Sequence, residues 1–271
     1  MSAKPIALIA IDLDGTLLTS SGELASESAL GLKQAASHGV AVVVATTRNP
    51  HFAVPICRAL GSTAPLICSN GAQVWGSPDG PVWAYRPIPR EAAQAIAQFA
   101  DENGWGLATT VDQTTYYRQR PGQALGRLTA NTSVVANNSD VMTAAPLRIL
   151  VWGDPAIPAL RTYCEVTVNE ACYTEIYLHA DGSIDSLGIF ARGADKGTAL
   201  RLVLDRLKLD ADQAVAFGDN LADLPMFAVA GTSVAMANAP DVVKQKASLV
   251  APSNDDNGVA WGLARLNLNL G

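Results

Sequence analysis

The feature that most narrows the fold is an unbroken apolar run, Ile6 to Ile11, closed by Asp12-Leu13-Asp14-Gly15-Thr16. A strand with one wet face alternates apolar and polar residues. A run with no polar member is typical of a strand covered on both faces, as in parallel sheets with helices above and below. The following segments repeat the pattern. A helical stretch from about Ser26 to His38 is stopped by Gly39. Val40 to Ala45 is again apolar and rich in β-branched residues, and a short strand, Pro65 to Ser69, precedes Asn70-Gly71. Strand, helix, strand in this order is a βαβ unit. The alternation returns late in the chain. Leu200, Leu204 and Leu207 lie at helical spacing within 196–207, Ala214 to Phe217 is apolar and runs into Gly218, and Ser233 to Met236 reads as one more strand.

Between these halves the character changes. Pro87 and Pro89 mark a linker, and the segment that follows holds five of the six tyrosines. It mixes a helix near 90–103 with strands near 107–111, 147–152 and 173–178. The chain therefore reads as an α/β core formed by residues 1–86 and 188–271, with a second, α+β domain inserted at 87–187.

Composition removes several classes of function. The 271 residues carry a net charge of -6, which gives no basic face for a nucleic-acid backbone. The longest apolar runs fall far below the roughly 20 residues a membrane helix needs, and the first is too short for a signal peptide. A soluble, cytoplasmic protein with no nucleic-acid or membrane partner is expected. Cys57, Cys68, Cys164 and Cys172 form no Cys-x-x-Cys pair and read as small buried hydrophobes. His38, His51 and His179 are scattered without metal-ligand spacing, and His38 suits the carbonyls of a helix end.

Four short stretches carry chemistry. In Asp12-Leu13-Asp14-Gly15-Thr16, residues two apart on extended chain point to the same side, so both carboxylates project from a strand's carboxyl end, where open α/β sheets bind ligands. Gly15 permits a tight turn whose amides can hold phosphate oxygens. Thr46-Thr47-Arg48 follows the second strand; taken alone, Thr46 serves equally as a phosphate donor or a helix N-cap. Lys196-Gly197 opens a helix, and a lone lysine there is more often a solvated charge. In Gly218-Asp219-Asn220-Leu221-Ala222-Asp223, the two aspartates could by themselves simply cap the next helix. Together they place carboxylates, a hydroxyl and an ammonium at the carboxyl ends of strands or at the helix starts beside them. Such an acidic cluster calls for a cation, and hard oxygen donors with few dedicated protein contacts suit magnesium.

This set resembles the haloacid-dehalogenase-like superfamily, in its Cof-like phosphatase branch. Asp12 to Thr16 matches the first family motif, Thr46 the second, Lys196-Gly197 the third, and Gly218-Asp219 with Asp223 the fourth. Asn70-Gly71-Ala72, Asn238-Ala239 and Asp256-Asn257-Gly258-Val259 look like marks of the branch. The resemblance implies a Rossmann-like, doubly wound parallel-sheet core whose inserted α+β segment is a substrate-covering cap. It implies a phosphatase acting on small phosphorylated metabolites: Asp12 the nucleophile, Asp14 the acid and base, Thr46 and Lys196 the phosphate ligands, with Thr47 and Gly15 lining that pocket. Mg2+ would be held by Asp12, the Asp14 carbonyl and Asp219, with Asp223, Asn70 and Asn238 in support. Asp14 would owe a raised pKa to neighbouring carboxylates. Two positions depart from the branch, Thr47 for a glycine and Ala222 for an asparagine; they bear on substrate range and efficiency. Arg118, Arg120 and Arg127 in the insertion could meet an acidic or polyhydroxylated substrate, although solvated surface arginines are the commoner case. A phosphohexomutase, or a weakly active binding protein on the same fold, are the alternatives; an isomerised hexose phosphate instead of free phosphate would mark the former.

Overall fold

A computed structural model describes residues 4–118 and 131–266. Strands β1 (Leu8–Ile11), β2 (Ala41–Ala45) and β3 (Leu66–Cys68) alternate with helices α1 (Ser26–Ser37) and α2 (Pro50–Ala59). A short antiparallel pair follows, β4 (Gln73–Trp75) and β5 (Val82–Tyr85). Next come α3 (Arg90–Glu102), β6 (Ala108–Val111), β7 (Thr114–Arg118), β8 (Thr132–Val135), β9 (Arg148–Trp152), α4 (Ala156–Thr167), β10 (Cys172–Leu178) and β11 (Ile184–Ala191). The chain ends through α5 (Lys196–Leu207), β12 (Ala214–Gly218), α6 (Leu224–Phe227), β13 (Thr232–Met236), α7 (Asp241–Lys244), β14 (Leu249–Ala251) and α8 (Gly258–Arg265).

Two compact units result: residues 1–85, 178–183 and 195–271 form the first, and residues 86–177 and 184–194 the second. The return to the first unit thus comes at Asp195, later than residue 188. The stretch 178–183 also belongs to the first unit, where the Asn220 amide bonds both the N–H and the carbonyl of Leu178.

The first unit's sheet has the order β14-β13-β12-β1-β2-β3-β4-β5. Six neighbouring strands, β14 through β3, are parallel, and β4 and β5 extend the edge antiparallel. The absence of polar residues from β1 and β2 now has its cause. Ile9 and Ile11 point into a core with Val42, Val44 and Leu32 on one face, while Leu8 and Ala10 join Val43, Ala45, Leu200 and Val203 on the other. Alternate side chains enter opposite layers. Burying a Leu, Ile or Val side chain in either layer contributes roughly 1.5–3 kcal/mol. The chain winds outward from β1 through β2 and β3 on one side and through β12, β13 and β14 on the other, which sets the topological switch point beside β1.

The second unit is a six-stranded sheet, β10-β11-β9-β6-β7-β8, in which β11 with β9, β9 with β6 and β6 with β7 are antiparallel and β7 with β8 is parallel. Helices α3 and α4 pack together there, and Phe99 stacks on Tyr163 with centroids 4.2 Å apart. Arg118 has a local partner: its guanidinium meets Asp101 at 3.1 Å. The same carboxylate accepts from the backbone and side chains of Asn138 and Ser139. Arg118 is therefore part of an internal polar knot rather than a freely solvated surface charge. Arg120 and Arg127 lie outside the described residues. No helix of the described residues is long and apolar enough to cross a membrane.

Candidate active site

Three of the four chemistry-bearing segments begin where a central parallel strand ends, and the fourth opens a helix. Asp12 follows β1, Thr46 follows β2, Asp219 follows β12, and Lys196 opens α5. The amide of Asp12 donates to the Phe217 carbonyl at 3.0 Å, which continues the β1–β12 ladder into the site.

Lys196 is the buried centre of charge. It is 1% exposed, and its Nζ donates to Asp12 Oδ1 at 2.7 Å and to Asp223 Oδ1 at 2.6 Å. Burial opposes its charge, but Asp12 and Asp223 outweigh that and raise its pKa. Asp195 caps the same helix, accepting from the amide and hydroxyl of Thr198. Asp223 is fully buried. Its Oδ2 accepts the amides of Asp219 and Asn220, both at 2.9 Å, so the loop closes without a polar side chain at the buried Ala222.

Asp219 Oδ1 accepts from the Thr16 hydroxyl at 2.8 Å, joining the first and fourth motifs. Gly15 lies directly against that carboxylate: with φ at +75°, a Cβ there would stand 2.3 Å from Asp219 Oδ2. Asn238 donates to the Gly15 carbonyl at 2.8 Å and accepts from the Asn254 amide at 3.1 Å. Asn254 in turn holds the Leu18 carbonyl. These amides brace the turn after β1 from the far end of the chain.

Thr46 is buried, and its Oγ1 accepts the Arg48 amide at 3.1 Å. The Thr46 carbonyl takes the Asn70 amide, and the Arg48 carbonyl takes the Ser69 amide. Ser69, Asn70 and Gly71 all have positive φ, and a Cβ on Gly71 would strike the Asp195 carbonyl at 2.3 Å. The loop after β3 is thereby wedged between the Thr46 segment and the start of the lysine helix. Thr47 is partly buried beside it.

Among the described residues, Asp12, Asp219 and Asp223 each offer a carboxylate oxygen within 4.8 Å of the others. Three carboxylates face one ammonium, so the cluster carries an excess of negative charge. Burial pushes Asp12 up to about 7, with repulsion from Asp223 and Asp14 adding to it against the pull of Lys196. Burial, then Asp12 and Asp223, raises Asp219 well above the ordinary carboxylate value. An all-oxygen, over-acidic donor set fits a hard divalent cation. Both oxygens of Asp223 are engaged, which leaves the second oxygens of Asp12 and Asp219 to ligate it.

Asp14 is more exposed than this cluster. Its carboxylate pairs with Arg48, and it is close enough to Asp12 to add to the repulsion there. The roles of Arg48, the Thr16 hydroxyl and Asn254 went unread in the sequence. Only Arg48 left a signal there, as a cation beside the Thr46 motif. The cysteines are buried and unbridged, and burial pushes the thiols of Cys57, Cys164 and Cys172 up to about 12. His38 lies at the end of α1 with Nδ1 2.8 Å from the Gln34 carbonyl.

A model of the haloacid dehalogenase-like hydrolases matches residues 9–263. Phosphatase YwpJ of Bacillus subtilis (strain 168) is 27% identical over 283 residues, covering 96% of this chain and 99% of that protein. Pyridoxal phosphate phosphatase YbhA of Escherichia coli (strain K12) is 27% identical over 263 residues, covering 93% and 96%. A solved haloacid dehalogenase-like hydrolase from B. subtilis aligns with a TM-score of 0.82 at 25% identity, covering 96% of this chain and 100% of its own. With the family matched across nearly its whole length, this chain belongs to the haloacid dehalogenase-like hydrolases, in their Cof-like branch.

Proposed function

We propose that this enzyme hydrolyses small phosphate monoesters, sugar phosphates or phosphorylated cofactors, by way of a phosphorylated Asp12. By family and by its phosphatase relatives it is a phosphoric monoester hydrolase. The observation that carries the reading is the buried Asp12 carboxylate, 2.7 Å from Lys196 and grouped with Asp219 and Asp223.

Asp12 attacks phosphorus with one carboxylate oxygen, and the bond from phosphorus to the ester oxygen breaks. Asp14 gives its proton to the departing alkoxide. Water then attacks the acyl phosphate, yields a proton to Asp14, and frees Asp12 as phosphate leaves. Lys196 and Thr46 offset the negative charge that builds on the phosphoryl oxygens. Asp223 keeps Lys196 ionised and aimed, and Asn70 and Asn238 hold the loops that carry Thr46 and Gly15. Asp12, Asp219 and the Asp14 carbonyl would hold Mg2+, which would supply further charge compensation there.

Asp12→Asn is expected to abolish phosphate release from a panel of sugar phosphates, p-nitrophenyl phosphate and pyridoxal phosphate, with the circular dichroism spectrum unchanged. Substantial turnover by that variant, deamidation excluded by mass spectrometry, removes Asp12 as nucleophile.

A further inference from the structure

Asp14 differs from the other acids of the site in how it is held. Its side chain is 49% exposed, whereas Asp12, Asp219 and Asp223 are buried. A half-exposed carboxylate on a short side chain moves readily among rotamers, and proton transfer tolerates little of that motion. Two bonds from Arg48 remove it. Nε donates to Oδ2 at 2.7 Å and Nη2 to Oδ1 at 2.5 Å, a planar fork that fixes orientation as well as distance. Each carboxylate oxygen keeps a second lone pair for a proton.

Arg48 is itself well fixed. Its amide donates to Thr46 Oγ1, its carbonyl accepts from Ser69, and its guanidinium lies 5.5 Å from the Phe52 ring centroid. It thus carries the order of the β2–β3 loops across to the acid after β1. We infer that Arg48 is a positioning residue that holds the Asp14 carboxylate in place for proton transfer to the leaving group. This role rests on the acid–base assignment of Asp14 proposed above.

The leaving group separates positioning from mere support. An alkoxide is a strong base and needs a proton as its bond to phosphorus breaks, whereas p-nitrophenolate departs as a stable anion. Arg48→Ala is expected to lower kcat for glycerol 3-phosphate roughly tenfold or more. For p-nitrophenyl phosphate it should cost only about two- to threefold, with KM for both esters changed no more than that. Arg48→Lys keeps the charge but loses the fork, and should share the defect. Added to Asp14→Asn, Arg48→Ala should cost nothing further on the alkyl ester. Equal losses on both esters, a defect mainly in KM, or additive losses in the double variant would overturn the inference. A collapsed thermal transition in Arg48→Ala leaves Arg48→Lys to decide on the same criteria. If Asp14→Asn itself shows no contrast between the esters, the acid–base assignment fails, and this inference with it; a contrast in Asp14→Asn that neither Arg48 variant reproduces defeats the inference alone.

Discussion

Asp12 titrates near neutrality because burial, more than any neighbour, resists its charge. An acid whose pKa is raised by folding binds its proton more tightly in the native state than in the unfolded one. Between the ordinary value of 3.8 and about 7, the native protein therefore holds the extra proton. Stability of the cation-free protein must fall as pH rises through that window, by at most about 1.4 kcal/mol per pH unit for one proton. Asp219 shifts in the same direction. Thermal unfolding in chelator at pH 5, 6, 7 and 8 should show this decline, and Asp12→Asn should flatten part of it. A variant curve with the wild-type slope would remove burial of Asp12 as the cause.

At the level of elements, the start of α5 couples stability to chemistry. Asp195 satisfies the free amide of Thr198 and stands one residue before Lys196, with Gly71 packed on its carbonyl. Asp195→Ala is expected to cost on the order of 1 kcal/mol from the lost cap, and to lower kcat as Lys196 loses its fixed origin; calorimetry and steady-state kinetics check the two effects separately. The same helix was legible from its leucines at helical spacing. So were β1 and β2, since burial on both faces leaves an unmistakable apolar run. Other elements left weaker marks. Strands β4 and β14 are three residues long, too short for any period, and α2 carries Pro55 inside it, which argues against a helix when only the sequence is weighed. Asp12, Thr46 and Asp219 stood out because they follow the ends of apolar strands, and Lys196 because it opens a helix with leucines at helical spacing. The Asp14–Arg48 and Thr16–Asp219 bonds join loops distant in sequence, and no local pattern encodes them.

For the molecule as a whole, the central sheet draws its middle strands from both ends of the chain: Ile9 is registered with Val42 on one side and Val215 on the other. A cation shared by Asp12 and Asp219 would bridge these distant segments. Saturating Mg2+ should therefore raise the unfolding temperature, corresponding to about 2.7 kcal/mol at a hundredfold excess over Kd. Asp219→Asn should abolish that shift, and an undiminished shift in the variant would place the cation elsewhere. The register of β1 also has a consequence for synthesis. The ribosome releases Asp12 184 residues ahead of the lysine that grips it, with strand β12 later still. A nascent chain thus carries its proposed nucleophile long before it has any means to use it, since the other half of the sheet is still to be translated.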